Sequence, residues 1–496
     1  MRNLQILLAV VLQIALSGCA LISAGPGPYR LAANEDLEGA ITKATCEKND
    51  IVGLTSDTTI VPSFIEIDEQ GAFEQDNING VDRNTQMYRS FNRIEADRPT
   101  NAPHIVVVYA HGWFHNASKD DDNVIKFRCA LAMIEKNFRK QEPFAKVSGV
   151  YIGWRGKSVK IPYVHIISFW DRKNTSEEVG RGELVEYLIK LERRVKNADT
   201  IAVPLIAKEC KNLKDDLLKK KCRDKWAEEA ARQAKKNRLL LVGHSFGGSV
   251  VFNAIGQIML ARLIESGKHV KETRLTGNAD DDKTIRGYGD LVVLVNPAIE
   301  AMRLLPFHNA LRNLHGSAPP DLHDSAPPAD PPADKYQPPR LLVLSSLGDW
   351  INRDLFPIGR TLSTWAEQYK TIRSTRVSVD CETKGNLNDC EPEHDEWKMD
   401  HTTMGMCDNM HTHATLEHAT ASSPQGQAKQ DGKDIAATIR NECALVLKRK
   451  STSKADNPLG VVPVAESVMP GHADVVSEEL ICMVGKLLGD IETSRQ

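Results

Sequence analysis

Residues 239–250, LLLVGHSFGGSV, set the hydroxyl of Ser245 among glycines at the end of a strongly apolar run. Gly243, Ser245 and Gly247 satisfy G-x-S-x-G, the pattern of a nucleophilic serine lifted on a sharp strand-to-helix turn. Glycine suits the flanking positions because a Cβ there would collide with neighbouring backbone. Two glycines and a serine at this spacing recur by chance, so the flanks carry the weight. LLLV before the motif reads as a buried strand and VVFNAIGQIMLARLI after it as a helix. The chemistry this setting suits is acyl transfer. A serine is a weak nucleophile until a base takes its proton and donors hold the developing oxyanion. Upstream, IVVVYAHGWFHNA puts His111, Gly112 and Trp113 directly after another apolar run. The backbone N–H groups of Trp113 and of Phe246, the residue after the serine, are the expected oxyanion donors.

A strand followed by HGW, then GHSFGG after a later strand, with acid and histidine downstream, resembles the α/β-hydrolase fold superfamily of serine esterases and lipases over roughly residues 60–480. The resemblance implies an acid after a later strand. Asp349 in LLVLSSLGDW fits that place, with Glu300 in VNPAIEA as its rival. It also implies a base between the last strand and the last helix. His472 meets this, following Pro470-Gly471 and preceding an amphipathic stretch, ahead of His401, His411, His413 and His418. His472 would then take the Ser245 proton, Asp349 would hold the imidazole in the right tautomer, and water would hydrolyse the acyl-enzyme.

Esters, thioesters or lipids are the expected substrates, with no cofactor and no metal. An acyltransferase, thioesterase or peptidase would share the triad, and a non-catalytic envelope binding lipoprotein is the alternative from another class. Trp113, Phe114, Trp154 and Phe246 are candidates for the wall of an acyl pocket. Asp400, His401, Cys407, Asp408, His411, His413 and His418 bring metal-binding side chains together in sequence. Their spacing matches neither a helical HExxH nor a paired C-x2-C module, which argues against a metal site.

The elements that must position these residues are legible as short apolar runs: IVVVY (105–109), GVYIGW (149–154), LLLV (239–242), LVVLV (291–295), LLVLS (341–345) and VVPVAESV (461–468). Charged, helix-competent segments separate most of them. The expected class is α/β, a mostly parallel sheet covered by helices on both faces, with insertions. FIEIDEQGAF (64–73) alternates around a glycine and reads as an antiparallel hairpin within an N-terminal segment, 19–100. The core would run over 101–304 and 340–496. Residues 201–237 form a charged helical insertion, 305–339 a Pro-rich linker with its repeated SAPP, and 373–460 a cap-like insertion.

At the N-terminus, Arg2, an apolar stretch and the small residues of LSGCA have the layout of a secretory signal, and LSGC resembles a bacterial lipobox. Residues 1–18 would be removed, and Cys19 would carry lipid and tether the protein to the cell envelope, with an outer-membrane location indicated by Ala20. Ten cysteines in an exported chain permit disulfides. Using Cys19 for lipid leaves an odd number, so at least one thiol should stay unpaired, and Cys381–Cys390 is the expected local bridge. A formal net charge of -3 provides no general basic field for nucleic acid.

Overall fold

The computed structural model describes residues 29–30, 39–49, 51–52, 54, 56–58, 60–74, 85–99, 101–156, 165–276, 284–315, 337–364, 367, 371–373, 393–407, 411, 414–418, 435–436, 445–449, 457–473 and 477–493. Seven strands form one all-parallel sheet: β1 (Ser63–Ile67), β2 (His104–Ala110), β3 (Lys146–Trp154), β4 (Arg238–His244), β5 (Leu291–Val295), β6 (Leu341–Ser346) and β7 (Leu459–Val464). Their spatial order is β1-β3-β2-β4-β5-β6-β7.

The strands are continuous apolar runs because both faces of the sheet are buried. In β2, Val106, Val108 and Ala110 enter one core cluster, while Ile105, Val107 and Tyr109 enter the other. The same alternation holds in β5, with Val292 and Leu294 on one side and Leu291, Val293 and Val295 on the other. Helices α1 (Thr85–Asp97), α3 (His165–Arg181), α4 (Leu184–Lys196), α7 (Phe246–Thr276) and α8 (Leu305–His315) contribute side chains to the first cluster; α2 (Asp122–Arg139) and α11 (Glu478–Thr493) cover the second. The Phe246–Lys268 stretch of α7 is long and apolar enough to cross a membrane by composition, and most of it is buried in this core.

Three expectations change. β1 is a parallel edge strand paired with β3, and among the described residues immediately after it the antiparallel pairing is the single bridge Ile67 to Phe73. Burial of all five β1 residues explains its place in the parallel sheet in place of the expected antiparallel hairpin. The 201–237 insertion is two helices, α5 (Ala198–Glu209) and α6 (Asp216–Lys236), closed into a hairpin by the disulfide Cys210–Cys222. Residues 305–315 of the expected linker are helix α8, whose Leu305, Phe307 and Leu311 pack on the core.

Within 373–460 the described residues include helix α10 (Glu396–His401), after α9 (Phe356–Ser363), and an antiparallel three-stranded sheet of Ala414–His418, Ile435–Ala436 and Leu445–Arg449. A second disulfide, Cys46–Cys129, ties the N-terminal segment to α2. Cys482 is also disulfide-bonded, and Cys407 keeps a buried thiol. Cys19, Cys381 and Cys390 lie outside the described residues.

From β2 the chain steps outward to β3, then returns past β2 to β4. The reversal between β2 and β4 is a topological switch point, where the loops leaving the strands diverge and open a crevice at the carboxyl edge.

Candidate active site

Ser245 stands at that crevice. β4 ends at His244, α7 begins at Phe246, and Ser245 between them has φ +55°. A left-handed conformation costs a non-glycine residue roughly 1–2 kcal/mol and persists only where the surroundings enforce it. They do so here: the Ser245 N–H donates to the Val295 carbonyl (3.0 Å), and its own carbonyl accepts from Gly248 (2.9 Å) and Ala298 (3.3 Å). The glycines serve close approach. A Cβ on Gly247 would lie 2.1 Å from the Ala110 oxygen, and one on Gly243 would lie 2.6 Å from the Gly247 oxygen. The helix can start this close to β2 because Gly247 lacks a side chain, and this close to the end of β4 because Gly243 does.

The triad expected from the resemblance is assembled. His472 Nε2 lies 2.7 Å from Ser245 Oγ, and His472 Nδ1 lies 2.7 Å from Asp349 Oδ2. With Nδ1–H donating to the carboxylate, Nε2 is left as the acceptor for the serine proton. The other carboxylate oxygen, Oδ1, accepts from the backbone N–H groups of Ile351 (3.0 Å) and Asn352 (3.1 Å). Ser245 and Asp349 are buried and His472 partly so, which holds the relay in a low-dielectric setting where its electrostatics are strong.

The rivals are elsewhere. Glu300 is buried in an ion-pair cluster, 2.7 Å from Lys173 and 3.4 Å from Arg360. His401 donates from Nδ1 to the Trp397 carbonyl (2.8 Å) and His411 from Nε2 to the Gly405 carbonyl (2.9 Å). Among the described residues no three His, Cys, Asp or Glu side chains converge as a metal site would require; His413 lies outside them.

The HGW loop runs directly against Ser245. A Cβ on Gly112 would sit 3.0 Å from both Ser245 Cβ and His244 Nδ1. His111 pins this loop from behind: its Nδ1–H donates to the Gly112 carbonyl (2.9 Å), and its Nε2 accepts the Trp154 N–H (3.1 Å). Full burial lowers the His111 pKa to about 4, so the ring is neutral and can accept. Phe114, at φ +70°, donates its N–H to Gly156 (3.2 Å). Trp113, between Gly112 and Phe114, therefore sets its amide in the turn beside Ser245. Phe246 opens a 31-residue helix; the amides of a first turn have no intrahelical acceptor and form the positive end of the helix dipole.

Trp113, Phe246 and Phe114 belong to one aromatic group that also includes Phe169, 5.1 Å from Trp113 and 4.7 Å from Phe246 between ring centroids. Trp154 belongs behind the site: it stacks on His111 at 5.5 Å and donates from Nε1 to the His111 carbonyl (2.9 Å). Its place is structural, not in the wall of an acyl pocket.

Three contributors went unread in the sequence. His244 donates from Nε2 to the His472 carbonyl (2.8 Å), Asn296 donates from Nδ2 to the same carbonyl (3.1 Å), and Asn352 donates from Nδ2 to the Asn296 carbonyl (2.9 Å). The Asn296-Pro297 dipeptide after β5 signalled a turn and nothing more. Compared with known proteins, the chain matches no protein-family model, no curated protein and no solved structure.

Proposed function

We propose that this protein is a serine hydrolase of carboxylic esters or related acyl compounds, built on an α/β-hydrolase fold. The single observation that carries the reading is the continuous Ser245–His472–Asp349 relay, with both hydrogen bonds at 2.7 Å between residues 227 and 123 positions apart. A packing role requires no such relay, with a strained serine on a glycine-lined turn and a base oriented by a buried acid.

In the proposed reaction, Ser245 Oγ attacks the acyl carbonyl carbon as His472 Nε2 takes its proton. The oxyanion rests on the Trp113 and Phe246 amides. His472 then gives the proton to the departing alkoxide. Water, deprotonated by the same nitrogen, attacks the acyl-enzyme; collapse releases the acid and returns the proton to Ser245. The fold side of the proposal is supported by the strand-turn-helix setting of Ser245, the all-parallel sheet and the Ser, Asp, His chain order.

The proposal extends to a lipid-anchored protein of the cell envelope, tethered at Cys19. Its supports are the signal-like N-terminus and the disulfides Cys46–Cys129 and Cys210–Cys222, which suit an oxidising compartment. The test is labelling with a fluorophosphonate probe in wild type, Ser245→Ala and His472→Ala. Labelling confined to wild type, followed by turnover of p-nitrophenyl esters, is the expected result; folded wild-type protein that ignores the probe overturns the proposal.

A further inference from the structure

Resting on the triad reading above, we infer that Asn296 and His244 are positioning residues that clamp the backbone of the catalytic histidine. His472 sits on a loop after Pro470-Gly471, and loops are mobile unless tied down. Its carbonyl receives two side-chain donors, His244 Nε2 at 2.8 Å and Asn296 Nδ2 at 3.1 Å; Asn296 Nδ2 also reaches the Gly471 carbonyl at 3.2 Å.

Asn296 is itself held from four directions. Its Oδ1 accepts the Ser346 N–H (2.8 Å) at the end of β6, three residues before Asp349. Its own N–H donates to Leu344 (2.8 Å), and its carbonyl accepts from Asn352, whose N–H in turn caps Asp349 Oδ1. Val295, the residue before it, accepts the Ser245 N–H. Two adjacent residues at the end of β5, Val295 and Asn296, thus reference the acid loop, the base loop and the nucleophile turn to a single strand. Asparagine suits the place, since its φ of +46° is a conformation asparagine tolerates better than most side chains, and its amide both donates and accepts.

His244 is suited to the clamp by staying neutral. Burial, then the nearby His472 ring at 5.3 Å between centroids, holds its pKa well below the usual histidine value. It therefore adds no positive charge beside His472 at the moment that ring becomes imidazolium.

The experiment compares Asn296→Gly, His244→Leu and His244→Gln. Glycine keeps the backbone conformation and removes the amide; glutamine retains a donor at similar reach. Asn296→Gly and His244→Leu should each slow fluorophosphonate labelling of Ser245 by about ten- to a hundredfold, the scale of a small misplacement of a catalytic group. The loss should fall on kcat for p-nitrophenyl butyrate at unchanged KM, and His244→Gln should recover most of it. In a His472→Ala background, Asn296→Gly should add no further loss, because no imidazole remains to be positioned. Wild-type rates in Asn296→Gly, or equal losses in both backgrounds, overturn the inference. An activity-independent reading is the low-field proton resonance of His472 Nδ1–H, expected to shift or broaden in Asn296→Gly and His244→Leu. If wild type never takes the probe, the hydrolase reading fails by itself. An unaltered resonance in both variants then overturns the clamp.

Discussion

Asp349→Asn is the substitution whose consequence the geometry determines most closely. The two carboxylate oxygens have different duties: Oδ1 accepts two backbone N–H groups, and Oδ2 accepts His472 Nδ1–H. An asparagine of the same shape must direct its oxygen at one set and its NH₂ at the other. Facing the NH₂ to Ile351 and Asn352 would set donors against one part-buried and one buried donor, and the buried one would lose its partner at a cost of about 1–3 kcal/mol. The oxygen therefore stays with the backbone and the NH₂ turns to His472. Nδ1 must then accept, which moves the ring proton to Nε2 and points a donor at Ser245, where an acceptor is needed. Where a triad acid has been exchanged for its amide, the loss in kcat is about 10⁴-fold, equivalent to about 5 kcal/mol of barrier. Steady-state hydrolysis of a p-nitrophenyl ester, with thermal unfolding as the folding control, measures it. Asp349→Asn within tenfold of wild type, or Glu300→Gln showing the larger loss, would refute the reasoning.

Three further outcomes are expected. Gly247→Ala forces a Cβ to 2.1 Å from the Ala110 oxygen and 2.5 Å from the His111 oxygen, both backbone; it should destabilise the fold by about 1–3 kcal/mol and reduce probe labelling, and a wild-type melting temperature with full labelling contradicts this. Burial lowers the pKa of His104 to about 3 and of His111 to about 4, below their unfolded value near 6.5. Between about pH 6.5 and 4 the unfolded chain therefore binds protons that the folded chain refuses. Stability should fall on acidification by up to about 1.4 kcal/mol per pH unit for each ring; denaturant midpoints that hold steady or rise from pH 7 to 4.5 would argue otherwise. Replacing Cys46 and Cys129 together by serine opens a loop spanning 83 positions and should cost about 4 kcal/mol, visible as a lower urea midpoint; an unchanged midpoint contradicts the estimate.

Much of the core was readable because parallel strands buried on both faces must be apolar at every position. Six of the seven central strands stand where such runs occur. β1 escaped notice: SFIEI carries Glu66 in its middle, and alternation with a nearby glycine imitates a hairpin. α8 was hidden by its nearness to the Pro-rich stretch, although Leu304, Phe307 and Leu311 follow a helical spacing.

The sequence by itself determined the turn at Ser245, since a serine between glycines, after an apolar run and before a helix-competent stretch, fits a tight strand-to-helix turn. It also determined that the body is an α/β protein, because a run's periodicity depends on which of its faces are buried. Only the tertiary structure decided which acid and which histidine meet that serine, sending Glu300 into an ion-pair cluster and bringing His472 across 227 positions. It alone disclosed Asn296 and His244, whose partners are backbone atoms. A carbonyl carries no residue identity, so what holds it depends on where the strands place the loops.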